Sequence, residues 1–249
     1  MDGNTSAPAK SRKFGLTASE LKYIAILAML IDHIAHLYID PENHLLYGGM
    51  RFIGRMTAPI MCFFLTEGFH HTRSLKKYFV RMGVFAVISH FAFTLCFHDS
   101  LFSLAESSVI TTLLLALFTV YVWNSGKIDL AFKLPLIVAA GFLAEYCDWG
   151  MDAILFTLAF ELARGNRTKQ VAAYSIVAFV RRILPALIFI IRGAYSATTR
   201  WHLLGLFLPA LLLMLYNGEK GGGKYTKWVF YIFYPAHLLL LAYINYRIS

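Results

Sequence analysis

Charged residues are scarce in this sequence. Asp, Glu, Lys and Arg together make up 15% of its 249 residues, whereas a soluble domain carries about a quarter. The sequence also lacks the strict alternation of apolar and polar residues that an outer-membrane barrel needs. Apolar residues instead reach 58% and come in runs of roughly 15 to 20. The sequence therefore predicts an all-α, polytopic bundle of transmembrane helices.

Cysteines are equally few, and their spacing excludes two kinds of site. Cys62, Cys96 and Cys147 form no C-x-x-C pair, so they predict neither a disulfide framework nor a zinc motif. We expect Cys62 and Cys96 to pack inside membrane helices. No internal repeat is visible, which argues against an inverted-repeat transporter.

Basic residues outnumber acidic ones, and the formal net charge is +9. Nucleic-acid binding is nevertheless not predicted, because the basic residues lie in short loops between apolar runs, where they set membrane topology. Arg12, Lys13 and Lys22 place the N-terminus in the cytoplasm. The loops then alternate in charge, except that Arg192 and Arg200 fall in a loop predicted to be outside. We expect a multi-pass membrane protein.

About nine apolar segments approach the length of roughly 20 residues that a bilayer requires. They are predicted at residues 21–39, 52–69, 79–97, 108–124, 134–147, 150–163, 171–191, 202–216 and 228–246. An odd number of spans places the C-terminus outside. We expect residues 1–13 to form a polar disordered tail and residues 14–249 to form one membrane domain. The first span is too long for a cleaved signal peptide and carries Asp32 and His33.

The outer half of the first span contains three ionisable residues on one helical stripe. Asp32, His33 and His36 follow Met29 at spacings of i, i+3, i+4 and i+7. Ionisable groups in hydrocarbon are expensive and are normally retained for a function. Asp32 can reach His36 one turn later, whereas His33 diverges from Asp32 by about 100°. The alternative is a structural network in which Asp32 pairs with an arginine of the next helix and the histidines are simply satisfied.

Two arginines on the second span lie at a similar predicted depth. Arg51 and Arg55 are spaced i, i+4, and an arginine pair in a membrane binds either an acid of the protein or an anionic ligand. Pro59 predicts a kink that frees a backbone carbonyl.

Other polar residues lie nearer to the ends of the spans. Glu67 lies toward the cytoplasm, where it is either a site residue or part of a solvated face. Its neighbours His70, His71 and Arg73, with Lys76, Lys77 and Arg81, form either a basic rim for phosphates or a topology signal. His90, in the outer half of the third span, is either a catalytic group or a satisfied core histidine.

The outer turn AEYCDWGMD and the last span add further candidates. The turn contains Glu145, Tyr146, Asp148 and Asp152, either as a recognition patch for a cation or amine or as a solvated acidic loop. On the last span, Tyr234 and His237 are spaced i, i+3 and share a face. An imidazole near mid-membrane needs a partner, and the polar stripe of the first span is an obvious one.

Four segments, taken in order, resemble the TraX family, which is associated with conjugal transfer and with N-terminal acetylation of pilin. They read LKYIAILAMLIDHIAHLY, MRFIGRMTAPIMCFFLTEGFHHTRSLKKYFVRMGVFAVISHFAF, AEYCDWG and FYIFYPAHLLLL. The resemblance covers nearly the whole chain from Leu21 onward. The family in turn resembles the broader membrane acyltransferases, which place a catalytic histidine on the first helix and arginines on a nearby one.

The resemblance implies an integral-membrane N-acetyltransferase that takes acetyl-CoA as co-substrate and acts on a pilin or another exported acceptor. It implies a location in the bacterial inner membrane, His33 as the catalytic histidine, and Arg51 and Arg55 as acyl-donor or active-site ligands. Asp32, Glu67, Tyr234 and His237 also match family motif positions. With the polar residues described above, we predict catalytic residues His33, Asp32 and His237, acyl-donor ligands Arg51, Arg55, Glu67, Arg73 and Arg81, and acceptor-binding residues His36, His90, Tyr234 and Asp148. No metal is implied.

In the predicted reaction, the acetyl-bearing arm reaches from the basic cytoplasmic rim into the bundle, where His33 is the base or a transient acyl carrier. An arginine stabilises the oxyanion or holds phosphates. The acceptor could also be a glycan hydroxyl, an amino sugar or a lipid amine. A proton-coupled transporter, with a relay through Asp32, His33, His90 and His237, is the main rival. A haem-binding electron carrier is a second.

Overall fold

The computed structural model describes residues 14–98, 100, 106–194, 196–223 and 226–248, and the tail predicted at residues 1–13 lies outside them. The described chain is helical, which confirms the predicted all-α class. The helices are α1 (Ala18–Tyr38), α2 (His44–Gly54), α3 (Thr57–His71), α4 (Leu75–His98), α5 (Val109–Asn124), α6 (Leu130–Ala144), α7 (Gly150–Leu162), α8 (Arg167–Ala178), α9 (Leu184–Ile191), α10 (Ala197–Arg200), α11 (Leu208–Met214) and α12 (Thr226–Ile248). A π-helical turn (Phe179–Ile183) joins α8 to α9, and a 3-10 helix (Trp201–Phe207) joins α10 to α11.

Within the described ranges, four stretches are long and apolar enough to cross a membrane. They are Ala18–Tyr38, Leu75–His98, Arg167–Ile191 and Trp228–Arg247. The helices Val109–Asn124, Leu130–Ala144 and Thr198–Met214 are apolar but shorter. The chain is therefore a multi-pass membrane protein, and the count of about nine spans stays a prediction.

The second predicted span is divided, which corrects the expectation of one helix over residues 52–69. The chain breaks at Arg55 and Met56, between α2 and α3. The predicted kink at Pro59 is not the cause, because Pro59 is the third residue of α3. The N–H groups of the first helical turn have no intrahelical partner, so a proline there removes no helical hydrogen bond.

Two later spans also depart from a single α-helix. The seventh, predicted at residues 171–191, stays continuous but widens into the π-helical turn at Arg181 and Arg182. The eighth, predicted at residues 202–216, begins as the 3-10 helix and becomes α-helical only around Pro209.

Helices α1 and α12 run parallel through the bundle. The Tyr23 and Phe230 rings lie 5.2 Å apart near the start of both helices. Near the other end, the hydroxyl of Tyr38 donates to the carbonyl of Leu241 at 2.8 Å. The start of α1 and the end of α12 therefore lie at opposite ends of the bundle, as an odd number of spans requires.

The two ends of the bundle differ in charge. We call the end at which α1 and α4 begin the basic end, because Lys22, Arg81 and Lys220 meet there. Backbone hydrogen bonds hold Lys220 at this end, since the N–H of Ser19 donates to its carbonyl at 3.0 Å. The opposite end contains the second halves of α1 and α4 and the turn at residues 145–149.

Helix α1 lies between two apolar clusters. Ile26 and Met29 pack into one cluster, with residues of α4, α5 and α12. Leu21 and Ala25 pack into the other, with residues of α3, α7, α8 and α11. This central position places the polar stripe of α1 inside the bundle.

Candidate functional site

The polar stripe predicted on α1 is enclosed by other helices. Asp32 and His33 are 8% and 7% exposed. The rings of His33 and His36 both meet Phe97 of α4 edge-on, with centroids 5.4 and 5.5 Å apart. The stripe therefore faces protein rather than lipid, which an ionisable group in a membrane requires.

Asp32 forms an ion-pair network with both arginines of α2. Its carboxylate accepts a hydrogen bond from Nη1 of Arg51 at 2.6 Å. Both of its oxygens accept from Nη2 of Arg55, at 3.2 and 3.1 Å. A hydrogen bond between Asp32 and His36, which the i, i+4 spacing allows, does not form among the described residues. Asp32 thus pairs with arginines of the next helix, as the alternative of a structural network predicts.

Gly54 allows this network to form. A Cβ atom at Gly54 would overlap the side chain of Asp32, so only glycine lets α2 approach α1 this closely. Outside the ion pair, the Arg55 guanidinium lies over the Trp149 ring at 4.8 Å. The Nε atoms of Arg51 and Arg55 have no hydrogen-bond partner among the described residues, so each arginine keeps a donor for a further group.

His33 pairs with His237, which confirms that the partner of His237 lies on the stripe of α1. Nδ1 of His33 lies 2.8 Å from Nε2 of His237. Nδ1 of His237 in turn lies 2.8 Å from the carbonyl oxygen of Phe233, so it must carry a proton and donate. In a neutral ring Nε2 is then the acceptor.

These contacts fix the tautomer of His33. Because Nε2 of His237 accepts, Nδ1 of His33 must donate to it, which leaves Nε2 of His33 with a free lone pair. A histidine oriented by a second group through Nδ1, with Nε2 unprotonated, has the arrangement of a general base or nucleophile.

A cavity of about 260 Å³, which we call the histidine cavity, lies beside this pair. It is lined by Asp32, His33, His36, Arg51, Arg55, Phe93, Phe97, His98, Glu106, Asp148, Trp149 and Arg182. The ionisable stripe of α1 and the arginines of α2 therefore converge on one polar chamber.

Asp148 is held in the wall of this cavity by the turn between α6 and α7. Its N–H donates to Ser107 at 2.8 Å, and its carbonyl accepts from the Thr112 hydroxyl at 2.5 Å. The next residue, Trp149, has a φ of 68°, which is rare for a bulky residue and often accompanies a functional turn. Burial raises the pKa of Asp148 to about 6, although Arg55 lowers that pKa. This carboxyl group can therefore exchange a proton near neutral pH.

A second cavity, of about 310 Å³, extends inward from the basic end, and we call it the basic-end cavity. Lys22, Arg81 and His71 lie in its wall, and the remaining lining is largely apolar. The Lys22 ammonium lies over the rings of Phe64 and Phe230, at 4.9 and 5.6 Å. Among the described residues, neither Lys22 nor Arg81 has a carboxylate partner within 4 Å.

Tyr234 lies between the two cavities. It lines the basic-end cavity, and its ring meets those of His33 and His237 edge-on, with centroids 6.4 and 5.5 Å away. His33 itself lines the histidine cavity on the other side.

The structure assembles most of the predicted site residues but not all of them. His36, Arg51, Arg55 and Asp148 share the histidine cavity with Asp32 and His33, whereas Arg81 lines the basic-end cavity. Glu67, Arg73 and His90 line neither cavity. His90 lies 3.2 Å from the Ser107 hydroxyl, Glu67 lies 3.9 Å from His71, and Arg73 is exposed.

Asp152 cannot bind an amine, so the prediction that it belongs to an acidic recognition patch is wrong. It is 1% exposed, and its carboxylate binds Arg181 at 3.0 Å and also binds Arg182. The π-helical turn presents both arginines to this one acid. Sequence reasoning treated these arginines only as an interruption of the seventh span.

Other site residues had a weaker signal in the sequence. The sequence indicates Lys22 only as a topology signal, and the motif AEYCDWG predicts no role for Trp149. Glu106 and Arg182 come from distant segments, so no spacing rule could have placed them at the cavity.

Comparison with known proteins identifies the family. A family model described as TraX protein matches residues 17–245. The chain belongs to the TraX family. It is 35% identical, over 247 residues, to the "Probable fimbrial assembly protein FimC, serogroup H1" of Dichelobacter nodosus, with 93% of this chain and 96% of that protein covered. It is also 28% identical, over 129 residues, to an uncharacterised protein of Rickettsia prowazekii (strain Madrid E), with 52% of this chain and 46% of that protein covered. No solved structure matches the chain significantly.

The TraX match contains every element of the site. It begins at the N-cap of α1 and ends within α12, and it therefore includes the His33–His237 pair, the arginines of α2 and the turn that holds Asp148.

Proposed function

We propose that this TraX-family protein is a membrane acetyltransferase that acts in pilus assembly. It transfers an acetyl group from acetyl-CoA, bound at the basic end, to the amine of a pilin or another exported acceptor at the opposite end. The observation that supports this best is the position of His33. Its ring lines the histidine cavity and packs against Tyr234, which lines the basic-end cavity.

The basic-end cavity suits an anionic donor. Lys22 and Arg81 lack carboxylate partners in the described chain, and Nε of Arg81 is buried without an acceptor. Phosphate groups are the anions that such lysine and arginine side chains bind. The rest of the cavity wall, up to Tyr234, is formed largely by apolar side chains such as Met29 and Leu113, which suit an acyl-bearing arm. Of the predicted basic rim, Arg81 lines this cavity, and Lys22, which was not predicted as part of the rim, lines it as well.

The histidine cavity suits an amine acceptor. Asp148 and Glu106 supply carboxylates that attract an ammonium group, and the pKa of Asp148, raised to about 6, lets it take up a proton. A pilin is the acceptor we favour, because the relative from Dichelobacter nodosus is named as a fimbrial assembly protein.

His33 removes the proton that must leave the amine. The amine nitrogen forms a bond to the acetyl carbonyl carbon, and Nε2 of His33 accepts the N–H proton. The C–S bond of the thioester then breaks, and the thiolate leaves with the electron pair. His237 holds the Nδ1 proton of His33 and stabilises the ring as it gains charge, much as a carboxylate does in a catalytic triad.

Asp32 has a positioning role in this reaction rather than that of a base. Two guanidinium groups already occupy its carboxylate, so it fixes Arg51 and Arg55 beside the cavity. Their free Nε donors can then bind a negatively charged group.

A proton-coupled transporter explains the geometry less well. The predicted relay ran through His90, but His90 hydrogen-bonds Ser107 and does not line the histidine cavity. The His33–His237 pair also ends at the Phe233 carbonyl, which cannot pass a proton onward.

The function is tested by intact-mass analysis of exported pilins from cells that carry parental protein, His33→Gln or His90→Gln. We expect parental protein and His90→Gln to yield pilin with one added acetyl group, and His33→Gln to yield unmodified pilin at equal expression. His90→Gln is the matched control, because it makes the same substitution at a histidine that does not line the histidine cavity. Acetylated pilin in the His33→Gln strain at the parental level would refute the role of His33. Identical pilin masses with and without this chain would refute acetylation of pilin.

A further inference from the structure

Tyr234 presents an unsatisfied hydrogen-bond donor in the wall of the basic-end cavity, beside His33. Its side chain is 2% exposed, yet its hydroxyl proton has no acceptor among the residues the structure describes. Buried polar groups in proteins are almost always hydrogen-bonded, and one that is not requires an explanation. A group left unsatisfied in this way lowers stability, so its retention points to a role outside folding.

The start of α5 lies next to this hydroxyl. The tyrosine oxygen approaches the backbone of Val109, the first residue of α5, and Val109 lines the same cavity. The first N–H groups of a helix have no intrahelical partner and carry partial positive charge. The preceding residue, Ser108, makes no side-chain cap. Its hydroxyl is also buried without a partner among the described residues.

We propose that the Tyr234 hydroxyl, together with the start of α5, receives the carbonyl oxygen of the acyl donor and stabilises the oxyanion formed during transfer. This inference rests on the acyltransferase function proposed above. Attack by the amine moves the carbonyl π electrons onto oxygen. That oxygen accepts a hydrogen bond from Tyr234 while Nε2 of His33 takes the amine proton. When the C–S bond breaks, the carbonyl re-forms and the thiolate leaves.

The position of Tyr234 suits an oxyanion donor better than a base or an acceptor ligand. It lies on the donor side of His33 and faces the basic-end cavity, through which the acyl group would arrive. A hydroxyl donor that is already desolvated needs no reorganisation when charge develops on the oxygen.

The test compares Tyr234→Phe with Tyr38→Phe, a matched control on the same α1–α12 interface. The purified full-length protein in lipid vesicles is given acetyl-CoA and a synthetic apolar helical peptide with a free N-terminal amine. Thiol release is followed at a series of acetyl-CoA concentrations. The melting temperatures of the parent and both variants are measured in parallel. The Tyr38 hydroxyl donates to the carbonyl of Leu241, so its removal breaks that hydrogen bond. The Tyr234 hydroxyl donates to no acceptor among the described residues, so its removal breaks no such bond there.

We expect Tyr234→Phe to lower kcat by roughly 10²-fold or more, with little change in KM, since loss of one oxyanion donor has an effect of that size. Its melting temperature should equal or exceed that of the parent. Tyr38→Phe should show the reverse pattern, a lower melting temperature with a near-parental kcat.

Two results would overturn the assignment while leaving the acyltransferase intact. One is a near-parental kcat in Tyr234→Phe, and the other is a fall in melting temperature as large as that of Tyr38→Phe. A parental protein that releases no thiol and acetylates no peptide would instead refute the proposed function, and this inference with it.

Discussion

Removing the negative charge of Asp32 should destabilise the protein, because two arginines depend on that charge. The substitution Asp32→Asn preserves the volume of the side chain but deprives Arg51 and Arg55 of the carboxylate that both of them bind. The side chains of this network are 12–18% exposed, so solvent can replace little of the lost interaction.

The size of the effect follows from the contacts. Breaking a buried ion pair by removing one partner costs about 3–5 kcal/mol, and partial hydration of the guanidinium groups reduces this cost. We therefore expect a loss of about 3 kcal/mol in the free energy of unfolding. For a chain of this length, that corresponds to a fall of about 6–12 °C in melting temperature.

The assay is thermal unfolding in detergent of the parent, Asp32→Asn, Arg55→Gln and the double variant. Asp40→Asn makes the same change at an exposed position and should remain within about 0.5 kcal/mol of the parent. The double variant should be more stable than the sum of the single changes predicts, by about 1 kcal/mol or more. Strict additivity, or an Asp32→Asn protein as stable as the parent, would show that the network contributes nothing to stability.

Three further predictions concern the same region. Gly54→Ala should cost about 1–3 kcal/mol in melting experiments because its Cβ overlaps Asp32, whereas Gly49→Ala, which meets no neighbouring atom, should not destabilise α2. His237→Leu should lower kcat for acetyl transfer by about 10²-fold or more, and His237→Gln should retain more activity if its amide oxygen accepts the Nδ1 proton of His33; equal rates would contradict the pairing. Burial raises the pKa of Asp148 to about 6, so its neutral form is favoured in the folded protein, and its contribution to stability should fall as the pH rises from about 4 to about 6. The free energy of unfolding of Asp148→Asn, measured against pH, should not show that fall. Parallel curves for variant and parent would refute the raised pKa of Asp148.

Much of the fold could be predicted from the sequence because each helix is determined by neighbouring residues. The length and apolar character of each run determine that it forms a helix suited to a membrane. The breaks were harder to place. Pro59 is the obvious breaker in the second span, yet the chain breaks at Arg55 and Met56, where α2 must close on Asp32.

The candidate site could be predicted one helix at a time. Helical periodicity placed Asp32, His33 and His36 on one stripe, and spacing placed Arg51 and Arg55 on another. The sequence left open whether the arginines bind an acid or a ligand, and the structure shows that they bind Asp32.

The sequence by itself determined the class of the protein and the face on which each polar group lies, since both follow from the chemistry of neighbouring residues. Only the tertiary structure decided which faces meet. His33 and His237 are separated by 204 residues, and the turn that carries Asp148 is fixed by hydrogen bonds to Ser107. The physical reason is that lipid is as apolar as a helix surface, so hydrophobicity does not select neighbouring helices. That selection comes from close approach at residues such as Gly54 and from polar contacts that form only when the helices have packed.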